Sequence, residues 1–192
     1  MMVQVTTEAV GRYSPEDQRA VVRELGHDQV SIALREMSEG QSEDELRSFY
    51  HWASGAGIGI QHILYTPREI RMFENLVASG VVPSAGVEML FVLGQYSGVR
   101  ESRPGDLSRY LHERRDSVAG AGWAVCAFGR HETECLVKGV MSGGKARIGF
   151  ENNLFNLDGS VAAGNAERVA ELVRAIKTAG SMPSSENGQD IE

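Results

Sequence analysis

The sequence predicts an α/β fold in which parallel strands alternate with helices along most of the chain. Short apolar runs rich in β-branched residues alternate six times with amphipathic helical runs, at spacings of about 25 to 34 residues. The strand runs are apolar almost without interruption, which is typical of parallel strands covered by helices. The strands are predicted over residues 3–7, 30–34, 59–65, 88–94, 123–129 and 146–150.

The first two helices have clear start signals. Ser14 is a predicted N-cap and Pro15 occupies the first helical position, where its missing N–H costs nothing. Gly26 is the expected end of this helix. In the second helix, Ser42 and Glu45 have the spacing of a capping box.

The third helix has start and end signals of the same kind. The last three helices are predicted from their amphipathic pattern. Thr66 is the expected cap, with Pro67 at the first position, Glu69 closing the box and Gly80 ending the helix. The remaining helices are predicted over residues 106–115, 132–141 and 165–180.

Two architectures accommodate six such units: a doubly wound sheet and a (β/α)8 barrel. No GxGxxG or GxxxxGK[ST] motif follows any predicted strand, which weakens the nucleotide-binding version of the doubly wound sheet. A barrel needs eight strands, and this sequence supplies six. With 192 residues, we predict one domain over residues 1–180 and a polar, disordered tail over residues 181–192.

Composition excludes several classes of function. A net charge of −7 without a Lys/Arg-rich run argues against a nucleic-acid partner. No apolar window approaches the roughly 18 residues that a membrane span needs. Cys126 and Cys135 have no CxxC spacing, which favours a reducing, cytoplasmic location. A small anionic substrate stays compatible with this charge, because a few local arginines can outweigh a negative total.

Ionisable residues are concentrated where the predicted strands end. Four of the six ends carry a carboxylate, and in parallel α/β folds these ends form the functional edge of the sheet. This favours an active site there, the alternative being ordinary charged loops. The ionisable residues at these ends are Glu8, Arg35, Glu36, Arg130, His131, Glu132 and Glu151.

Two pairs of charged residues at these ends have an expected geometry. Arg147 precedes Glu151 by four residues, so along a strand both side chains would share one side of the sheet. This arginine could orient the carboxylate or bind a substrate acid, or the two could form a buried structural ion pair; both interpretations stay open. Arg35 and Glu36 are adjacent at a strand end and are expected to face opposite ways, with Glu36 favoured as the inward residue.

The histidines give weaker signals. His131 follows a predicted strand, and substrate contact and a plain position at a helix start are both open for it. His62 lies inside an apolar strand and is predicted to be a core residue.

Several motifs, in order, resemble the β-keto acid cleavage enzymes. GGKARIGFENNLF, followed by DGSVAAGNAERVAELV, is similar to the carboxyl-terminal signature of that family. VQVTT, FVLG and WAVCAFGRHE match in the same order. The resemblance covers about residues 3 to 180, nearly the whole chain.

The resemblance implies a fold, a reaction and a set of site residues. The implied fold is a (β/α)8 barrel, here partial, with its strands 3 to 8 present. The implied reaction uses acetyl-CoA and a small β-keto acid and releases acetoacetate and a new acyl-CoA, in a homo-oligomer with a divalent metal, usually Zn²⁺. Glu151 corresponds to a metal ligand, Arg147 to the catalytic arginine, and Thr6, Thr7 and Asn152 to substrate-binding positions.

The sequence departs from the family in ways that bear on catalysis. It has no His-x-His, from which the family takes two further metal ligands, and Lys145 replaces a family histidine. Asn152 stands where many members have Asp, and an amide cannot act as a base, so Glu36 becomes the candidate base. Glu36, Tyr65, Gln95 and Tyr96 are the residues expected to select the substrate.

The missing histidines and the missing strands have two explanations, which lead to different functions. Either the sequence begins inside a longer zinc enzyme, or it is a shortened chain that has lost its metal. The first predicts β-keto acid cleavage. The second predicts a non-catalytic barrel remnant, or a small-acid-binding protein that needs a partner.

Overall fold

The computed structural model describes residues 3–94, 101–114, 118 and 120–181. Within these residues, six strands form one parallel sheet whose spatial order follows the chain order. The strands are β1 (Val5–Thr6), β2 (Gln29–Ala33), β3 (Gly59–Leu64), β4 (Glu88–Leu93), β5 (Gly122–Ala127) and β6 (Lys145–Ala146). The sheet is open, with β1 and β6 at its two edges, and the fold is a partial (β/α) barrel.

The helices lie between the strands and after the last one. They are α1 (Pro15–Leu25), α2 (Leu34–Ser38), α3 (Glu43–Gly55), α4 (Pro67–Ala78), α5 (Asp106–Glu113), α6 (Glu132–Met141) and α7 (Asn165–Ser181). The alternation of strand and helix predicted from the sequence is therefore confirmed. Of the predicted tail over residues 181–192, Ser181 closes α7 and the remainder lies outside the described residues.

The predicted caps of the first three long helices are present. The hydroxyls of Ser14 and Ser42 accept from Asp17 N and Glu45 N, and each helix has a complete capping box. Thr66 caps α4 by accepting from Glu69 N. The predicted box at this helix is wrong in one detail, because Glu69 Oε2 accepts from the N–H of residue 65, at 2.9 Å, instead of that of Thr66.

The strands differ from the prediction mainly at the edges of the sheet. β1 and β6 have two residues each, whereas five were predicted for each of them. An edge strand has a partner on one side only, so its pairing stops where that partner diverges. The helix α2 was not predicted, because it follows β2 directly and its N-cap Ala33 makes no side-chain cap hydrogen bond.

The sheet has two apolar faces. The face covered by the helices forms the main core, to which Leu64, Phe91 and Val125 contribute. Residues of opposite parity form a second, smaller cluster on the other face. Its buried members are Ile63, Leu90, Val92, Ala124, Cys126 and Phe128.

The last helix is held by a buried ion pair. Arg168 in α7 and Glu132 in α6 are both 0% exposed, with Nη2 and Oε2 2.9 Å apart. Arg168 also donates to Thr133 Oγ1 at 3.0 Å and pairs with Glu171. Glu132 Oε1 accepts from Gly149 N at 3.4 Å, which connects this pair to the segment after β6.

His62 is a core residue, as predicted. It is 3% exposed, and its ring lies between Phe73 and Tyr50, at centroid distances of 4.3 and 5.4 Å. Its Nδ1 lies 3.4 Å from the Glu88 carbonyl oxygen. Burial lowers the pKa of His62 to about 4, although this hydrogen bond raises it slightly.

This lowered pKa predicts a loss of stability in acid. In the unfolded chain this histidine has a pKa of 6.5, whereas in the folded protein its pKa is about 4. Between these two pH values the unfolded chain therefore binds a proton that the folded protein does not bind. Its contribution is fully present above pH 6.5 and is lost as the pH falls toward 4, by on the order of 3 kcal/mol. We expect urea unfolding at pH 7 and pH 4.5 to show a smaller loss for His62→Phe than for the wild type.

The difference between the two proteins isolates this histidine, because carboxyl groups with shifted pKa values contribute equally to both. The control is His27, which is exposed. Between pH 7 and pH 4.5, the His27→Gln variant should lose as much stability as the wild type. An equal loss in His62→Phe would contradict the prediction.

Two further expectations concern the class of protein. None of the helices in the described part of the chain is long and apolar enough to cross a membrane. Cys126 and Cys135 are both buried and free.

Candidate active site at the carboxyl edge of the sheet

Residues in or just after five of the six strands line one recess above the smaller apolar cluster. Its polar lining is Glu8 after β1, Tyr65 after β3, and Arg147, Glu151 and Asn152 after β6. Its apolar floor consists of Ile63, Leu90, Val92, Cys126 and Phe128. The two edges of the open sheet thus contribute to the same recess.

A larger cavity of about 540 Å³ adjoins this recess. Glu8, Tyr65, Val92 and Phe128 line both spaces. The volume lies within the range of small-molecule sites. Its additional lining consists of Val10, Gly11, Arg35, Glu36, Thr66 and Gly94.

Arg147 and Glu151 form an ion pair, with Nη2 and Oε2 2.5 Å apart. Their side chains are 38% and 43% exposed, so the predicted alternative of a buried structural pair is wrong. The strand ends at Ala146, and a turn in which Asn152 N donates to Gly149 O brings the two together. Strand periodicity is therefore not the cause of their contact.

Glu8 is a carboxyl group of the recess with a raised pKa, and sequence reasoning did not select it as a site residue. Its Oε1 accepts a hydrogen bond from the hydroxyl of Tyr65. Burial raises its pKa, as do the neighbouring carboxylates Glu36 and Glu151, while Arg147 and Arg35 lower it. The sequence indicated Glu8 as one of several carboxylates at strand ends. Its hydrogen-bond partner Tyr65 follows a strand two positions away in the sheet, and no spacing rule connects the two residues.

Glu36 holds the loop between β1 and α1. Its two oxygens accept from Ala9 N at 2.7 Å and from Val10 N at 3.0 Å. Val10 has a φ of 50°, which is strained for a β-branched residue. Glu36 thus fixes a strained backbone at the rim of the cavity, and its predicted role as the catalytic base stays a prediction.

Arg35 lies beside Glu36 in α2, and both line the larger cavity. The expectation that the two residues face opposite ways, with one excluded from the site, is therefore wrong. They do not follow strand geometry, because they begin a helix. The guanidinium of Arg35 stacks on the ring of Tyr65, with Cζ 3.6 Å from the ring centroid. Within the described ranges, no ion pair joins Arg35 to a carboxylate.

The three predicted substrate-binding residues lie in different surroundings. Asn152 is 9% exposed and lines the recess. Thr7 is 7% exposed, and its Oγ1 has no hydrogen-bond partner in the part of the chain that the structure describes. Thr6 is exposed, and its Oγ1 accepts from Glu8 N at 3.2 Å. Thr6 therefore helps to orient the backbone at Glu8.

Cys126 is part of the floor and is not suited to be a nucleophile. Burial raises the pKa of its thiol to about 12, so the reactive thiolate is not populated at neutral pH.

Glu151 was predicted as a metal ligand, and its surroundings do not complete a metal site. Catalytic zinc is normally held by three protein ligands. Among the described residues no group of three or more His, Cys, Asp or Glu side chains has a geometry that could hold a metal ion. His131 does not line the recess or the cavity, and its Nδ1 lies 2.9 Å from Glu134 Oε2 at the start of α6. Gln95 and Tyr96, predicted to select the substrate, lie outside the described residues.

Comparison with known proteins adds a family match. A family model for the beta-keto acid cleavage enzymes matches residues 1–187. A protein described as 3-keto-5-aminohexanoate cleavage enzyme, from Fusobacterium nucleatum subsp. nucleatum, is 36% identical over 61 residues. The matched stretch covers 32% of this chain and 22% of that relative. The shared sequence thus spans about a fifth of the relative's length.

Proposed function

Because the chain belongs to the beta-keto acid cleavage enzyme family, we propose that it takes part in the cleavage of a small β-keto acid. In the proposed reaction, the β-keto acid and acetyl-CoA exchange their acyl groups. The products are acetoacetate and the acyl-CoA of the remaining fragment. The substrate class, acetyl-CoA as co-substrate and a homo-oligomeric state are all part of this proposal.

One observation carries the proposal: two arginines and a protonatable carboxyl group line connected spaces above an apolar floor. Arg35 and Arg147 provide the cations that an anionic substrate needs. Glu8 lines both spaces and has a raised pKa, and carboxyl groups of this kind are typical of acid–base sites. The floor excludes water from the reacting carbon atoms and strengthens electrostatic interactions above it.

Each residue has a proposed role that follows from its contacts. Arg35 binds the substrate carboxylate, because its guanidinium is already oriented by the Tyr65 ring. Arg147, held by Glu151, stabilises the oxyanion that develops on the keto oxygen. Glu8 exchanges a proton with the substrate carbon, and the Tyr65 hydroxyl stabilises its ionised form.

The remaining predicted residues have supporting roles in this proposal. The Asn152 amide, which lines the recess, donates a hydrogen bond to the substrate. Thr7 lines neither the recess nor the larger cavity, so its predicted contact with the substrate has no support from its position. Glu36 keeps the strained loop at Val10 in place and remains the second candidate base after Glu8.

The predicted zinc ion does not fit the described residues by themselves. Glu151 can supply one ligand, but the other ligands of a three-residue site are missing from the described ranges. Metal dependence is therefore a separate proposal, and none of the steps above is assigned to a metal.

The same observation supports a second candidate, a protein that binds a small acid without turnover. The arginines and the apolar floor are sufficient for binding, whereas cleavage needs the additional groups of a complete site. We therefore keep this alternative, which differs from the first in its products and not in its ligand.

One experiment separates the two candidates. The purified chain is incubated with acetyl-CoA and each of several β-keto acids, with and without added zinc chloride, and released acetoacetate is measured with a coupled dehydrogenase. Cleavage predicts release that requires both substrates, and the zinc arm measures metal dependence. Binding of a β-keto acid by calorimetry without release would support the second candidate. If the chain neither releases acetoacetate nor binds a β-keto acid, both candidate functions are contradicted.

A further inference from the structure

The turn over residues 149–152, which follows β6, is held by side chains from two helices. Phe150 N donates to Asn165 Oδ1 at 2.8 Å, and Gly149 N donates to Glu132 Oε1 at 3.4 Å. Asn165 is the first residue of α7 and Glu132 is the first residue of α6. Because a backbone N–H can only donate, the atom of Asn165 that faces Phe150 is its carbonyl oxygen. The shorter of the two hydrogen bonds to this turn is therefore the one from Phe150 to Asn165.

This turn presents Glu151 to Arg147. Glu151 directly follows Phe150, so the hydrogen bond to Asn165 fixes the backbone from which the Glu151 carboxylate extends. Arg147 N donates to Val125 O at 2.9 Å, so the backbone of Arg147 is held by the sheet. Its long side chain is oriented by Glu151 Oε2, which lies 2.5 Å from Nη2. The direction of the guanidinium therefore depends on where the turn places Glu151.

The ion pair is too exposed to fix its own geometry. Ion pairs between partly solvated side chains are weak, and they do not by themselves hold two long side chains in one arrangement. A hydrogen bond that anchors the turn supplies the constraint that this pair lacks. Resting on the role proposed above for Arg147, we propose that Asn165 is a positioning residue, which holds the turn so that Glu151 directs Arg147 at the keto oxygen of the substrate.

The first test compares two substitutions of Asn165 in the assay for acetoacetate release. Asn165→Ala removes the acceptor and is expected to lower kcat about tenfold, because a displacement of about 1 Å at a catalytic group can cost about 100-fold. The KM for the β-keto acid should change by less than about twofold, because Arg35, the proposed carboxylate-binding residue, lies in α2 and not in this turn. Asn165→Asp keeps an oxygen that accepts from Phe150 N and should retain kcat within about twofold. Asn165 is exposed, so both variants are expected to fold.

The second test measures the pKa of Glu8, which reports the position of Arg147 without turnover. Burial and the carboxylates of Glu36 and Glu151 raise this pKa, whereas Arg147 lowers it. The glutamate carboxyl groups are labelled with ¹³C and titrated by NMR, and the Glu8 signal is identified by its absence in Glu8→Gln. Displacement of Arg147 should raise the pKa of Glu8 in Asn165→Ala, and Asn165→Asp should keep the wild-type value.

Asn156 supplies the matched control at the start of the same helix. Its Nδ2 donates to Glu167 Oε1 at 3.1 Å, and Asn156 lines neither the recess nor the larger cavity. Asn156→Ala therefore removes a hydrogen bond to α7 without touching the turn over residues 149–152. We expect this variant to keep both the kcat and the pKa of Glu8 at their wild-type values.

Three results would overturn the proposed role of Asn165. An unchanged pKa of Glu8 in Asn165→Ala would show that the position of Arg147 does not depend on Asn165. A loss of kcat in Asn165→Asp as large as in Asn165→Ala, or an equal loss in Asn156→Ala, would show that the hydrogen bond from Phe150 is not the cause. The titration of Glu8 needs no turnover, so it decides whether Asn165 positions Arg147 even in a protein that releases no acetoacetate. The positioning role and the proposed function can therefore fail independently.

Discussion

Replacing Arg168 with Met is expected to destabilise the protein by about 3–5 kcal/mol. The substitution keeps an unbranched side chain of similar length in α7 and removes the charge that faces Glu132. Both members of this pair are fully buried, so the carboxylate of Glu132 would be left in the interior without its counterion. Urea unfolding at neutral pH, followed by far-ultraviolet circular dichroism, measures the change in the free energy of unfolding.

A control and a double variant show whether the charge is the cause. Arg174→Met lies on the same helix at an exposed position and should change stability by less than about 0.5 kcal/mol. Adding Glu132→Gln to Arg168→Met removes the uncompensated charge and should restore part of the lost stability. A loss below about 1 kcal/mol in Arg168→Met would show that the pair does not hold α7.

Replacing Arg147 with Gln is expected to lower the kcat/KM for acetoacetate release by about 100- to 1,000-fold. This prediction rests on the proposed role of Arg147 as the group that stabilises negative charge on the keto oxygen. Glutamine keeps hydrogen-bonding capacity but removes the positive charge. Because the Arg147–Glu151 pair is partly exposed, its loss should change stability by no more than about 1 kcal/mol.

The matched control is a second arginine–glutamate pair at the same edge of the sheet. Arg130 Nε lies 3.3 Å from Glu101 Oε1, and Arg130 does not line the recess or the larger cavity. Arg130→Gln should therefore retain wild-type activity. Equal activities of Arg147→Gln and the wild type, with both proteins folded, would exclude a catalytic role for Arg147.

Local signals in the sequence predicted most of the fold. The caps at Ser14, Ser42 and Thr66 act within one helical turn, so residue spacing is enough to identify them. The short helix α2 was missed because it has neither a side-chain cap nor a gap after β2. The extent of β1 and β6 was overestimated, since the length of an edge strand depends on its single neighbour.

The candidate site was predicted less completely because its contacts are distant in sequence. The pairing of Arg147 with Glu151 was predicted from their four-residue spacing, although a turn and not strand periodicity produces their contact. By contrast, no spacing rule connects Glu8 with Tyr65, which follow β1 and β3 and are 57 residues apart. The sequence also contains no signal for the two backbone N–H groups that donate hydrogen bonds to Glu36. These hydrogen bonds limit how readily its carboxylate can act as a base.

The order of the strands in space is the order in which they are made. Each strand pairs with the one synthesised just before it, so the apolar core can be assembled unit by unit as the chain leaves the ribosome. Glu8 follows the first strand and Glu151 follows the last, and their recess requires both. The recess is therefore complete only when the strand before Glu151 has been made and has joined the sheet.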